Sequence, residues 1–335
     1  MIFFKLMARY LVTGGCGSIG SAIVKRLLLN GDVVCSFDQG EDKLFYQSQL
    51  YKHDYLDNFK AFVGDVRDFP RLKQALKGID YVYHCAALKH VALCEYNPFE
   101  ALKTNVQGTN NVIDACLDNN VSGLVFASSD KAVNPSSTMG ASKLLAEKLI
   151  SASSNHSGKS QFRSSCVRFG NVWNTSGSVA KIFLSQSIKS ESLRVTSSKM
   201  TRFFITIEKA LDLCEYAMKM MKGGEVFVAD MGALNILDLA IAFNQHYNNP
   251  SEIIYGNPSP GEKLYEELYT EQEAYRLGEM DGYRVILPQG QREKFILQSW
   301  DKENRFSLIG HEQLALRSDS PNSIKIDPFS LINML

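Results

Sequence analysis

The segment Thr13-Gly14-Gly15-Cys16-Gly17-Ser18-Ile19-Gly20 narrows what this chain can fold into more than any other. It follows a strand-like apolar run, Arg9–Thr13, and leads directly into a helical stretch from Ser21 to Asn30. Gly14, Gly17 and Gly20 carry the spacing G-x-x-G-x-x-G. Glycine permits positive φ and close backbone approach, so bare N–H groups at a helix start can meet a pyrophosphate. A glycine triplet alone is a weak signal. With a strand before it, a helix after it and an acid ending the next strand, it specifies a dinucleotide-binding turn that includes Ser18 and Ile19.

That acid is Asp38, eighteen residues beyond Gly20. A carboxylate there accepts hydrogen bonds from an adenosine ribose and repels a 2′-phosphate. Gln39, Gly40, Glu41 and Asp42 supply no arginine to receive such a phosphate, so NAD is expected, and Lys43 keeps NADP open. A turn-initiating aspartate is the plainer alternative for Asp38. Asp65, after the third strand, is placed to accept the adenine amino group, with Val66 packing beside it. Cys85-Ala86-Ala87 offers small side chains where a cofactor must run close to the backbone.

The first two-thirds of the chain alternates strand-like and helix-like segments, the pattern of parallel βαβ units. Strands are expected at Arg9–Thr13, Asp32–Phe37, Lys60–Val63, Tyr81–Cys85, Gly123–Ala127 and Ser164–Arg168. Helices are expected at Ser21–Asn30, Phe69–Leu76, Pro98–Asp118 and Gly140–Ser151. The fold class is α/β: a Rossmann doubly wound parallel sheet with a smaller mixed α/β substrate domain. Residues 1–172 and 202–232 form the dinucleotide-binding domain. Residues 173–201 and 233–335 form the second domain and a tail with few periodic signals from about 283 onward.

Composition removes several classes of function. Lys+Arg and Asp+Glu both number 36, so no net field favours nucleic acid or an acidic membrane surface. The seven cysteines are scattered and form no C-x-x-C pair, and the six histidines show no ligand spacing. No disulfide framework or metal site is expected, and a reducing, cytoplasmic setting fits. No stretch approaches the roughly 20 apolar residues of a membrane span. Residues 1–7 lack the apolar core of a signal peptide and read as a short extension or an upstream start before Met7.

The fifth strand ends in Ser128-Ser129-Asp130-Lys131, at the edge where open α/β sheets place ligands. Ser136-Ser137-Thr138-Met139-Gly140-Ala141-Ser142-Lys143 then opens a helix. In extended short-chain dehydrogenases this region carries Y-x-x-x-K, and one helical turn sets tyrosine and lysine on one face. Lys143 is present here, but the tyrosine position is Met139, whose thioether cannot carry a proton. The whole segment 128–143 nonetheless resembles the nucleotide-sugar 4,6-dehydratases of bacterial surface-polysaccharide and flagellar-glycan synthesis, one branch of which has methionine there. The resemblance extends to A-A-L-K-H-V (86–91), C-E-Y-N-P-F-E-A-L-K-T-N (94–105), V-R-F-G-N-V (167–172), M-T-R-F-F-I-T (200–206) and P-G-E-K-L-Y-E-E-L (260–268).

The resemblance implies a UDP-N-acetylglucosamine 4,6-dehydratase using bound NAD(P). Hydride leaves sugar carbon 4, a base removes the carbon 5 proton while an acid expels the 6-hydroxyl as water, and hydride returns to carbon 6. It assigns Asp130 as the acid and Lys131 as the base, with Ser129 or Lys143 helping to deprotonate the 4-hydroxyl. Lys143 and Lys89 also face the cofactor. Lys89, Asn171, Val179 and Glu262 match substrate-contacting positions. Ser259 stands where the family commonly has a phosphate-facing arginine, and Arg202 is the candidate replacement. The resemblance further implies a homo-oligomer. A UDP-sugar 4-epimerase, which relies on the missing tyrosine and does not need the Asp-Lys pair, is one alternative. A non-catalytic NAD or nucleotide-sugar binder is the other.

Overall fold

The computed structural model describes residues 7–154, 161–248, 252–290, 293, 296–297, 299–300, 306–309, 317–321 and 323–335. Residues 1–6 of the expected leading extension, and parts of the tail, lie outside the described residues. Six parallel strands form the centre: β1 (Arg9–Thr13), β2 (Val33–Asp38), β3 (Phe59–Val63), β4 (Tyr81–His84), β5 (Gly123–Ala127) and β6 (Arg163–Arg168). Their order is 3-2-1-4-5-6. This is the doubly wound arrangement, with its ligand crevice at the carboxyl ends of the strands where the order reverses, between β1 and β4. Leu11, Val12, Val82 and Leu124 are fully buried because helices cover both faces of the sheet.

The large sheet continues past β6. Val226–Val228 pairs parallel to it, followed by Tyr283–Ile286 and Leu277–Met280 antiparallel and then Phe306–Leu308. A second hydrophobic cluster, including Trp173, Phe183, Phe204, Leu239 and Phe243, underlies a smaller unit. That unit holds a three-stranded sheet of Gly232–Asn235, Thr201–Ile205 and Asn171–Val172, and the helices Val179–Ile188 and Ile236–His246.

Two strand pairings cross the expected division. Thr201–Ile205, of which residues 202–205 were expected in the cofactor domain, pairs with Gly232–Asn235 in the small sheet. Strands 277–280 and 283–286, expected in the second domain and tail, extend the large sheet. Strands of three to five residues carry little period, and the partners of these are distant in sequence.

The expected helix over 98–118 is helical throughout, but Leu102–Gln107 is wound as a π-helix. Such wide turns inside helices commonly sit at functional sites. Here the turn carries the buried Asn105. Its Oδ1 accepts from the Leu88 N–H, and its Nδ2 donates to the Leu88 carbonyl and to Ser142 Oγ. One amide thus clamps the segment after β4 to the helix Thr138–Ser153.

Candidate active site

The glycine loop is built as a cradle. Gly14 has φ of +65°, and a Cβ there would lie 2.7 Å from the Ala86 nitrogen, so only glycine lets β1 and the end of β4 approach so closely. Gly17 caps the helix Ser18–Leu29 with no side chain satisfying the free N–H groups, which suits an anion. Asp38 Oδ2 accepts from the Cys16 N–H and Oδ1 from the Gly40 N–H, which fixes the carboxylate beside the loop. These residues fit a dinucleotide with an unphosphorylated ribose. Asp65 is held below the ordinary carboxylate range by hydrogen bonds from Arg67, which also pairs with Glu100. Val66 is buried, and burial raises the Cys85 thiol to about 12, so it stays protonated near neutral pH. His84, between Thr13 Oγ1 and Thr109 Oγ1, is pushed down to about 3 by burial and acts as a neutral brace.

Asp130 and Lys131 open a short 3-10 turn capped by Ser129, whose Oγ accepts from the Lys131 N–H and donates to Asp130 Oδ1. Lys131 Nζ lies 3.0 Å from Asp130 Oδ1 and 3.3 Å from Asn171 Oδ1. Asp130 is fully buried, and its Oδ2 has no hydrogen-bond partner among the described residues. A Cβ at Gly140 would come within 2.3 Å of the Lys131 carbonyl, so glycine lets the helix Thr138–Ser153 start directly behind the pair. Lys143, one turn further on, donates from Nζ to the Ala127 carbonyl, and burial lowers its pKa to about 8. Met139 is buried in an apolar cluster with Cys94 and Ala101, against Leu88 and Val91. It serves as packing at this position.

Lys131, Asn171, Arg202 and Glu262 line one cavity of about 250 Å³, together with Ser136, Ser259 and Lys263. Arg202 is nearly buried and donates to the carbonyls of Thr201, Lys263 and Leu264, while its Nη2 lies 3.6 Å from Glu262 Oε1. Val91 and Ala92 line the same cavity, but Lys89 does not. Its Nζ donates to the Ser176 carbonyl, and its pKa is lowered by burial and by Lys181. The Ser176 N–H in turn donates to Ser18 Oγ, so this loop bridges the cofactor cradle and Lys89. Val179 begins the next helix, whose N-cap Ser178 makes no side-chain cap bond. A larger cavity of about 560 Å³ lies at the amino ends of the strands, beside Tyr10, Tyr81 and Arg163, and holds none of these residues. Among the described residues no cluster suited to a metal ion occurs. Among them, too, no helix is long and apolar enough to cross a membrane.

The cradle and the Asp-Lys pair share one edge of one sheet, and residues 10–288 match the family described as "Polysaccharide biosynthesis protein". The chain belongs to this family. It is 37% identical over 303 residues to a UDP-N-acetylglucosamine 4,6-dehydratase (inverting) of Campylobacter jejuni, covering 89% of this chain and 86% of that protein. It is 34% identical over 334 residues to a protein named UDP-glucose 4-epimerase from Rickettsia rickettsii, covering 92% of this chain and 95% of that one. Among solved structures, Pen from Bacillus thuringiensis superposes with a TM-score of 0.87 at 34% identity, covering 99% of this chain and 98% of that chain.

Within this polysaccharide-biosynthesis scaffold one acidic side chain escaped the sequence reading. Glu266 is buried, with Oε1 3.4 Å from Lys131 Nζ and 3.8 Å from Arg202 Nε, and Oε2 without a hydrogen-bond partner among the described residues. In sequence it is one acid of the Tyr265-Glu266-Glu267 run, which has the look of a solvated surface. Its place beside Lys131 and Arg202, and the bond from its backbone N–H to Ser318 Oγ, join segments far apart in sequence.

Proposed function

We propose that this chain is a UDP-N-acetylglucosamine 4,6-dehydratase that forms a UDP-2-acetamido-2,6-dideoxy-4-keto-hexose for surface polysaccharide or glycan synthesis. One observation supports this above the others: Asp130 and Lys131 hold an acid and an amine 3.0 Å apart at the sheet edge, with Lys131 on the sugar-sized cavity. A proton donor and acceptor so joined suit removal of water across two adjacent carbons.

The cofactor fitting the cradle is NAD, which supplies a hydride acceptor and later a hydride donor when bound. Asp38 excludes a 2′-phosphate by charge. Lys143 holds the ribose hydroxyls next to the reacting ring and, with Ser129, draws the proton from the sugar 4-hydroxyl. Once carbon 4 is a carbonyl, the carbon 5 hydrogen is acidic. Lys131 Nζ removes it, the C6–O bond breaks, and Asp130 gives its proton to the departing oxygen. Asn171 orients the amine, and Lys89, Val179, Glu262 and Arg202 shape the nucleotide and sugar ends of the cleft. The large sheet serves the cofactor and the small unit serves the sugar. Exposed apolar side chains at Tyr96, Phe99 and Leu102 support a homo-oligomer, and a cytoplasmic location fits the proposed reaction on a UDP-sugar.

Incubation with UDP-N-acetylglucosamine and NAD, followed by mass spectrometry, tests the assignment. Dehydration lowers the mass of the product by one water. An unchanged mass with an altered configuration at carbon 4 identifies a 4-epimerase, and an unchanged sugar identifies a non-catalytic binder. Asp130→Asn and Lys131→Ala should each abolish turnover while leaving NAD binding intact. NMR of the product formed in heavy water assigns the configuration at carbon 5.

A further inference from the structure

Lys131 poses a difficulty for its own role. Burial works against its ammonium, but Asp130 and then Glu266 outweigh that and hold its pKa above the ordinary lysine value. An ammonium cannot take a proton from carbon. Resting on the dehydratase assignment, we propose that Glu266 is the proton acceptor that converts Lys131 into a free amine. In this step the Nζ–H bond breaks and an O–H bond forms on Glu266 Oε1. Ammonium and carboxylate both become neutral, and no other reactant is needed. Lys131 then removes the carbon 5 proton, and Asp130 remains the acid for the leaving hydroxyl.

The geometry selects Glu266. Among the described residues three acceptor atoms stand near Nζ: Asp130 Oδ1 at 3.0 Å, Asn171 Oδ1 at 3.3 Å and Glu266 Oε1 at 3.4 Å. The amide oxygen of Asn171 is far too weak a base. Asp130 Oδ1 already accepts from the Ser129 hydroxyl as well as from Nζ, so a proton placed there would displace a hydrogen bond. Glu266 remains. The groups facing it are Lys131, Asp130, Arg202 and Lys263, and its backbone exchanges hydrogen bonds with Ser318. Burial is the largest influence on it and pushes its pKa up even against Lys131. A neutral acid is therefore a comfortable state for this side chain. Its unpartnered Oε2 points the same way, because a buried anionic oxygen without a donor is costly. Arg202, 3.8 Å from Oε1, steadies the carboxyl in either state. Glu266 acts through Lys131 and is a positioning residue.

The test compares wild type, Glu266→Gln and Glu266→Asp with UDP-N-acetylglucosamine in heavy water. The readouts are deuterium entry at carbon 5, water loss and the pH dependence of kcat. In Glu266→Gln, kcat and carbon 5 exchange should fall at least about 10²-fold near neutral pH, the usual scale for losing an acid–base partner. The loss should shrink as pH rises, because hydroxide then strips Lys131 directly, and KM should hold. Glu266→Asp should recover much of the exchange with the wild-type pH profile. A Gln variant with wild-type exchange and pH profile overturns the proposal. So does a loss of the same size at every pH, which marks a structural role. If the Gln variant does not fold, the Asp variant decides, and an alkaline-shifted profile there overturns it. A wild type that releases no water refutes the dehydratase assignment and this proposal with it. Normal wild-type dehydration with an indifferent Glu266 refutes only this proposal.

Discussion

Lys143 Nζ donates a 2.8 Å hydrogen bond to the Ala127 carbonyl and sits 4.4 Å from the centre of the Phe126 ring. A helix side chain is thereby tied to the last residues of β5, and among the described residues its charge has no carboxylate within ion-pair distance. Burial sets its pKa at about 8, so the ammonium is present below that pH and lost as pH rises through it. NAD affinity should therefore weaken above about pH 8. Lys143→Met should bind about tenfold more weakly at neutral pH, the scale of a charged hydrogen bond, and show a flatter pH dependence. Titration calorimetry from roughly pH 6.5 to 9.5 checks both, a range spanning the titration.

Asp38 should set cofactor choice. Asp38→Ala removes the carboxylate that receives the Cys16 and Gly40 N–H groups. NAD affinity should fall about tenfold, or about 1.4 kcal/mol, and the ratio of NADP to NAD affinity should rise. Fluorescence titration with each cofactor measures the ratio directly.

Met139 should be replaceable by another apolar side chain. Its surroundings are Cys94, Ala101, Leu88 and Val91. Met139→Leu should cost less than about 1.5 kcal/mol and leave turnover unchanged. Met139→Tyr should destabilise by about 1–3 kcal/mol through overpacking and bring no gain in rate. Urea denaturation and kcat on the same samples separate the two effects. A large rise in kcat for the tyrosine variant would mean that proton transfer here had lacked a phenol.

Arg168 should dominate stability between the large sheet and the segment that follows Leu268. Its guanidinium makes paired bonds to Glu147 and to Glu273 and donates to the Leu268 carbonyl. Arg168→Met leaves two buried carboxylates unpaired and should cost about 3–5 kcal/mol. Burial alone would raise Glu273, but Arg168 outweighs it and holds its pKa below the usual value. That stabilisation is present above the unfolded carboxylate pKa and lost as pH falls through the lowered folded one. The gap between wild type and variant should therefore narrow in acid, as urea midpoints across the acidic range would record.

How far the chain could be read in advance follows from the range of its interactions. The six parallel strands were legible because each is a local apolar run between turn signals, and the glycine loop because its spacing and its neighbours agree. Asp130 and Lys131 were named from the family resemblance of segment 128–143, and the fold sets the two side chains 3.0 Å apart. Glu266 was not named, since nothing local distinguishes it from Glu267. The Leu277–Met280 and Tyr283–Ile286 hairpin was missed for the same reason. Four residues give too few alternations, and the edge they cover belongs to a distant strand. The expected substrate residues on the 250 Å³ cavity came from the family resemblance, while the way Arg202 is spent on three carbonyls and two carboxylates had no sequence signal.

That late hairpin has a bearing on how the molecule is made. Val226–Val228 offers an open backbone edge until residues 283–286 arrive to seal it, and the last elements of the small unit, Gly232–Asn235 and Ile236–His246, are synthesised in between. An unsealed edge invites pairing with another chain. A ribosome-bound fragment ending before Leu277 would therefore carry a nearly complete nucleotide cradle and a sticky border at once. Shortening this protein from its far end should harm solubility well before it harms the turn that meets the pyrophosphate.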